Sequence, residues 1–229
     1  MHIICYFCIT IIDYLCFMEK IEKKVAESLL EIKAVTLSPD KPYTWASGWK
    51  SPIYCDNRKI LSYPALRRDI AGWLSSTVKD NFKECDVVAG VATGAIALGI
   101  MVAEILDKPF IYVRPKPKDH GTGARIEGVL PQGAKVVVVE DLISTGNSSL
   151  SAVDALRHGG AIVSGMVAIF SYNFPQAREA FENANVELHT LTNYDSLLDA
   201  ARSCGYIKED DMKLLREWRY SPSTWGRDE

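Results

Sequence analysis

The sequence predicts an α/β fold, a doubly wound parallel sheet flanked by helices, with a small irregular hood in front of it. Three observations carry this expectation. From residue 86 onward, short β-branched runs alternate with amphipathic stretches, and strands alternating with helices build parallel sheets. The run Val136-Val137-Val138-Val139 is apolar at every position, the pattern of a strand covered on both faces. Ahead of these, Pro39, Pro42, Gly48 and Pro52 break up a segment loaded with Tyr43, Trp45, Trp49 and Tyr54, which suits a short-stranded lobe and not a layer of the sheet.

The elements follow in order. Residues 3–12 are strongly apolar until Asp13 interrupts. That run is too short for a bilayer, which needs about 20 residues, and it lacks the basic start and cleavage site of a secretory signal. Residues 1–17 are therefore set apart as a leader, disordered or not native, with Met18 as the natural start; Cys5 and Cys8 form a C-x-x-C pair that no second pair or His cluster answers. Residues 18–229 form one domain, with the hood at about 36–60 and the core at about 63–219. A helix is expected over 19–33, where Ile21, Val25, Leu29 and Ile32 share a stripe. Another covers 63–79, packing through Leu66, Ile70, Trp73 and Leu74. Strands follow at 86–91, 110–113, 135–140, 161–170 and 186–191. Helices are placed at 95–106, 148–157, 175–183, 195–203 and 209–218, with Gly159-Gly160 ending the second of these.

The 229 residues carry a net charge of −3, with 48% hydrophobic and 24% charged residues. No broad attraction for nucleic acid or membranes is expected, so a cationic site must be local. Six cysteines, three of them within the first 16 residues, suggest no disulfide framework and fit a reducing cytoplasm. One segment breaks the alternation. Residues 114–134 hold Pro115, Pro117, Gly121, Gly123, Gly128, Pro131 and Gly133, and gather Arg114, Lys116, Lys118, His120 and Arg125 against Asp119 and Glu127. A loop of that length inside a compact domain is usually functional or disordered.

Residues 136–149 carry the most chemistry. A buried strand ends at Glu140 and Asp141, and a hydroxyl-rich turn through Gly146 opens a helix. Such a turn aims free backbone N–H groups and a positive helix end at one spot, which suits a phosphate. Two carboxylates beside it suit sugar hydroxyls, and the pair of preferences describes a phosphorylated ribose. Acids alone at a strand end would be explained by an ordinary capped join; the whole string, with Gly146 in place, is better explained by a ligand. It is neither a nucleotide P-loop nor a G-x-G-x-x-G fingerprint.

This string resembles the ribose-phosphate signature of the type I phosphoribosyltransferases. In that family the paired acids bind the ribose hydroxyls of phosphoribosyl pyrophosphate (PRPP) and the turn holds its 5′-phosphate. The resemblance implies a PRPP site over Glu140, Asp141, Leu142, Ile143, Ser144, Thr145, Gly146, Asn147 and Ser148. Residues 114–121 resemble the mobile loop of the orotate phosphoribosyltransferases. There the cations grip pyrophosphate and commonly reach the neighbouring subunit's site, which implies roles for Arg114, Lys116, Lys118 and His120 and a homodimer. Ser47-Gly48-Trp49-Lys50-Ser51-Pro52 resembles that family's base-binding hood. Tyr54 would cover the pyrimidine, Lys50 and Arg58 offer charge to the orotate carboxylate, and Ser144 completes that end. Lys118, His120 and Asp141 are then the catalytic residues.

The likeness runs from about Met18 to the C-terminus, with departures. Ala46 stands where some hoods have Lys, Pro115 follows the loop Arg where many have Lys, and Asn147 stands where small or hydroxyl residues are usual. The turn Gly90-Val91-Ala92-Thr93-Gly94-Ala95 looks like the family's pyrophosphate loop without the Lys some members carry. The implied activity joins orotate to the phosphoribosyl group of PRPP in a cytoplasmic enzyme, with Mg²⁺ borne by PRPP and no direct protein ligand, and with no nucleic-acid or membrane partner. The alternatives are a purine or uracil phosphoribosyltransferase and, from another class, a PRPP-sensing regulator.

Overall fold

The computed structural model describes residues 2–45, 47–116 and 125–226, with residues 2–15 described by backbone alone. The first helix, α1 (His2–Glu31), starts well before the expected position 19. Residues 2–31 contain neither Gly nor Pro, so nothing breaks the helix at Met18 and the leader continues into it. Val25, Ala26, Leu29 and Leu30 are buried on its inner face. The hood follows as two small antiparallel pairs. Its strands are β1 (Val35–Leu37), β2 (Tyr43–Thr44), β3 (Lys50–Ser51) and β4 (Ile53–Cys55), with β1 paired to β4 and β2 to β3. A 3-10 turn over Asn57–Ser62, capped by the Asp56 side chain, leads to α2 (Pro64–Asn81), whose Pro64 sits in the first turn where no N–H is needed. Helix α2 buries Ile70, Ala71, Leu74 and Val78, while Leu66 and Trp73 of the expected face are only partly covered.

The core comprises β5 (Val87–Val91), α3 (Ile96–Leu106), β6 (Phe110–Val113), β7 (Ile126–Glu127), β8 (Lys135–Ile143), α4 (Asn147–His158), β9 (Ile162–Ser171), α5 (Pro175–Asn183), β10 (Leu188–Asn193), α6 (Tyr194–Ser203) and α7 (Glu209–Tyr220). Six strands form one sheet in the order β10-β9-β8-β5-β6-β7, parallel except for the edge strand β7. All of β5 and Val136–Val139 of β8 are buried, as their unbroken apolar runs require.

Two departures from the expected elements bear on function. Strand β8 does not stop at Glu140 but runs to Ile143, because β9 keeps pairing with it through Leu142↔Phe170 and Ile143↔Ser171. The paired acids therefore lie within a paired strand and not past its end. Inside the loop expected over 114–134, β7 pairs antiparallel with β6 through Tyr112↔Glu127 and Val113↔Ile126. The Arg114 N–H donates to the Arg125 carbonyl at 2.7 Å, closing the base of the hairpin.

The chain winds outward from the middle of the sheet in both directions. From β5 it passes to β6 on one side; from β8 it passes to β9 and β10 on the other. Ligands of open α/β sheets sit at such a switch point, outside the carboxyl ends of the two strands. No described helix is long and apolar enough to cross a membrane.

Candidate active site

At the switch point, β5 runs into the turn Ala92-Thr93-Gly94, whose Ala92–Thr93 peptide is cis, and β8 runs into Ser144-Thr145-Gly146. Between them and the hood lies a cleft of about 440 Å³. Its walls are Cys55 to Arg58 from the hood, Val91 to Gly94 after β5, and Glu140, Asp141, Leu142, Ser144, Thr145, Gly146 and Ser148 after β8.

The end of the cleft where the sequence leads one to expect phosphate is lined largely by backbone. Gly146 caps α4 with φ 85°, a left-handed conformation that glycine adopts without a Cβ penalty, and no side chain caps the helix. The first intrahelical bond is donated by Leu150 N–H to the Gly146 carbonyl at 2.8 Å. The N–H groups of Asn147, Ser148 and Ser149 thus have no acceptor within the helix, and they sit at its positive end. Ser144, Thr145 and Ser148 add hydroxyls around the same spot.

Both carboxylates of the couple reach the cleft, but they differ in burial and in partners. Glu140 is 5% exposed; its Oε2 accepts the Ser149 hydroxyl at 3.0 Å and its Oε1 accepts the Asp141 N–H at 3.0 Å. Burial, and then the neighbouring Asp141 charge, push the Glu140 carboxyl well above the usual glutamate range. Asp141 is only half-buried and rests over Gly94, where a Cβ would run into its carboxylate. The Asp141 carbonyl accepts Asn57 Nδ2 at 2.6 Å, tying hood to core beside the carboxylate. Asp141 is thus offered to the cleft, and Glu140 mainly braces the turn through Ser149.

The raised Glu140 carboxyl has a consequence for stability. The folded state binds its proton more tightly than the unfolded state, so stability falls as pH rises from the ordinary glutamate range through the elevated folded value, and is flat above it. Glu140→Gln removes that loss. Thermal unfolding across pH should show the variant gaining on the parent as pH rises through this window, with the gap smallest in acid. A gap that widens toward acid would reverse the sign and reject the assignment.

Comparison with known proteins bears on this geometry. The phosphoribosyl transferase domain family matches residues 56–186, the stretch that holds the hood's last turn, both sheet turns and α4. The orotate phosphoribosyltransferase of Phocaeicola vulgatus is 57% identical over 208 residues, covering 91% of this chain and 98% of that protein. The chain belongs to the orotate phosphoribosyltransferase family. Among solved structures, the orotate phosphoribosyltransferase of Aeropyrum pernix superposes with a TM-score of 0.69 at 29% identity, over 80% of this chain and 99% of that one. That of Mycobacterium tuberculosis H37Rv, solved in complex with PRPP, shares the fold with a TM-score of 0.61 at 24% identity, over 77% and 98% of the two chains.

In this orotate phosphoribosyltransferase-family chain, the cleft brings together Glu140, Asp141, Leu142, Ser144, Thr145, Gly146 and Ser148 of the expected residues. Asn147 is exposed at the start of α4 and offers its N–H there. Ile143 is the exception in the string. Its side chain is fully buried and does not line the cleft, and its carbonyl accepts the Tyr172 N–H at 3.0 Å, so it supports the turn through the core. In the hood, Lys50 does not line the cleft; its Nζ donates to Thr44 Oγ1 at 3.0 Å across the β2–β3 pair. Tyr54 is exposed beside Tyr43, ring centroids 5.7 Å apart. Arg114 is half-exposed and pairs with Glu127 at 3.3 Å, and Lys116 is exposed. Lys118 and His120 lie outside the described residues. The sequence reading missed Asn57, Ser149 and the close approach of Gly94 to Asp141. Only the small-residue turn around Gly94 hinted at the last of these.

Proposed function

We propose that this protein transfers the 5-phosphoribosyl group of PRPP to N1 of orotate, giving orotidine 5′-monophosphate and pyrophosphate in pyrimidine (UMP) biosynthesis. The observation that carries the reading is one juxtaposition: the Asp141 carboxylate stands over Gly94 beside the uncapped N-terminus of α4, at the sheet's switch point. The N–H groups at 147–149 and the hydroxyls of Ser144, Thr145 and Ser148 hold the 5′-phosphate. Asp141 orients the ribose hydroxyls, with Glu140 fixing the turn behind it. Displacement at the anomeric carbon forms the bond to N1 and breaks the bond to pyrophosphate, and N1 gives up its proton. The centre passes through an oxocarbenium-like state, so positioning and charge do most of the work.

Arg114, Lys116, Lys118 and His120, carried on the β6–β7 hairpin, offset the charge growing on the leaving pyrophosphate, and His120 is suited to move a proton near neutral pH. Mg²⁺ would be carried by the diphosphate oxygens of PRPP itself, with no direct protein ligand. Bound there, it would neutralise diphosphate charge. The protein works as a homodimer in which the segment between β6 and β7 serves the neighbouring cleft. Ile100 and Ile105 of α3 stand in solvent and supply apolar surface for such pairing. Cys16, Cys55, Cys85 and Cys204 are free thiols, in keeping with a cytoplasmic setting.

Incubation with PRPP, Mg²⁺ and each base in turn tests the reading. Orotate should be consumed and pyrophosphate released. Consumption of hypoxanthine or uracil in its place would transfer the protein to the purine or uracil enzymes, and PRPP binding without turnover of any base would make it a regulator. Sharing of sites has its own test. Lys118→Ala and Asp141→Ala should each be nearly inactive, and mixing them under subunit exchange should restore up to about a quarter of dimer sites in the loop-swapping geometry described by heterologous complementation. Complete silence after verified exchange would place both residues in one subunit's site.

A further inference from the structure

Orotate differs from uracil by one ring carboxylate, so a site that selects it needs a cation beside the ring. The inference below rests on the orotate reading and names the group that makes the selection. Two hood cations are at issue. Lys50 is held by Thr44 on the β2–β3 pair and stands away from the cleft wall. Arg58 is on the wall itself, at the start of the 3-10 turn.

The way Arg58 is held leaves its useful face open. Its Nε donates to Asp56 Oδ1 at 2.6 Å, and the same oxygen accepts the Arg58 backbone N–H at 3.3 Å. Asp56 therefore fixes the guanidinium from its Nε edge. Among the described residues no acceptor engages the two terminal NH₂ groups. Arg58 and Asp141 line the same cleft, so the guanidinium borders the space beside the carboxylate proposed for the ribose. An anchored guanidinium with a free fork matches a carboxylate, which it can engage through two parallel N–H···O bonds. A base joined to a ribose held by Asp141 would lie in the cleft that Arg58 borders. Asp56 also holds the guanidinium in place before substrate arrives, which reduces the ordering cost of binding.

We propose that Arg58, oriented by Asp56, is the receptor for the orotate carboxylate and the residue that selects orotate over uracil. Lys50 has a structural place in the hairpin instead. The competing assignment for a cleft-wall arginine is pyrophosphate, and steady-state kinetics in both directions separate the two.

The full-length protein is compared with Arg58→Gln, Arg58→Lys and Lys50→Gln. Arg58→Gln should raise KM for orotate, and for orotidine 5′-monophosphate in the reverse direction, by about 10- to 100-fold, the range for losing a charge-assisted hydrogen-bonded pair. KM for PRPP and for pyrophosphate should stay near the parent values, which also controls for folding. Arg58→Lys should recover only part of the loss, because an ammonium lacks the planar fork. Lys50→Gln should leave KM for orotate unchanged. A rise confined to PRPP and pyrophosphate, an unmoved KM for orotate in Arg58→Gln, or an equal effect of Lys50→Gln overturns the receptor while leaving orotate turnover by the parent intact. A parent protein that uses another base and not orotate overturns both readings.

Discussion

Gly94→Val is expected to remove most turnover while leaving the protein folded. A Cβ at residue 94 would meet Asp141 and nothing nearer, since the three closest atoms to that position are Oδ1, Oδ2 and Cγ of its carboxylate. Gly94 does not occupy the left-handed region, so a side chain there is not strained by the backbone. It lies on a half-buried turn beyond the end of β5, outside the close-packed layer of the sheet. The added side chain therefore meets the Asp141 carboxylate first. The Asp141 backbone cannot retreat freely, because its carbonyl is held by Asn57 and its strand is paired to β9. The carboxylate must swing away from the cleft. A misplacement of about 1 Å in a group that orients substrate costs about 100-fold in rate. The expected result is a kcat/KM for PRPP lowered by about that factor with a thermal midpoint close to the parent's, and Gly94→Ala should move in the same direction to a smaller extent. Parent-like turnover in Gly94→Val would mean that the Asp141 carboxylate has no part in positioning the ribose.

The sheet was legible because its signal is local. Val136 to Val139 could be buried on both faces only in a covered parallel strand, and the alternation from residue 86 leaves few other architectures. The turn proposed for the phosphate was legible for a similar reason: strand, Gly146 and hydroxyls are consecutive in the chain. What the sequence hid depends on partners distant in the chain. The extension of β8 to Ile143 is decided by pairing with Phe170 and Ser171, and that extension puts Glu140 and Asp141 inside a paired strand and not beyond its end. The Asn57–Asp141 bond joins residues 84 positions apart. Lys50 and Arg58 look equivalent as hood cations until the hairpin claims one and Asp56 orients the other. The short strand β7 has too few residues to announce itself among the glycines and prolines of its loop.

Trp218→Ala should be the most destabilising single change in the C-terminal helix, and it should loosen the hood before it melts the core. Trp218 is fully buried, with ring centroids 5.4 to 5.7 Å from Phe174, Tyr194, Trp45 and Tyr172. Trp45 belongs to the hood, while Phe174 and Tyr172 follow β9 and Tyr194 opens α6. The indole is thus the shared wall of hood and core. Its Nε1 also donates to the Lys50 carbonyl of β3 at 3.1 Å, a bond that reaches across 168 residues of chain. Truncating a buried Trp to Ala costs about 3–5 kcal/mol through lost contacts and the cavity left behind. For a chain of this size that lowers the melting temperature by roughly 6–20 °C. Trp218→Phe keeps most of the ring volume and loses the hydrogen bond, so it should fall between parent and Ala. The two variants divide the effect. If the indole holds the hood in place, Trp218→Phe should raise KM for orotate at temperatures well below its melting point while KM for PRPP holds, because in the proposed site the hood covers the base and α4 binds the phosphate. Equal rises in both constants would show that Trp218 supports the whole cleft through the core, with no separate hold on the hood.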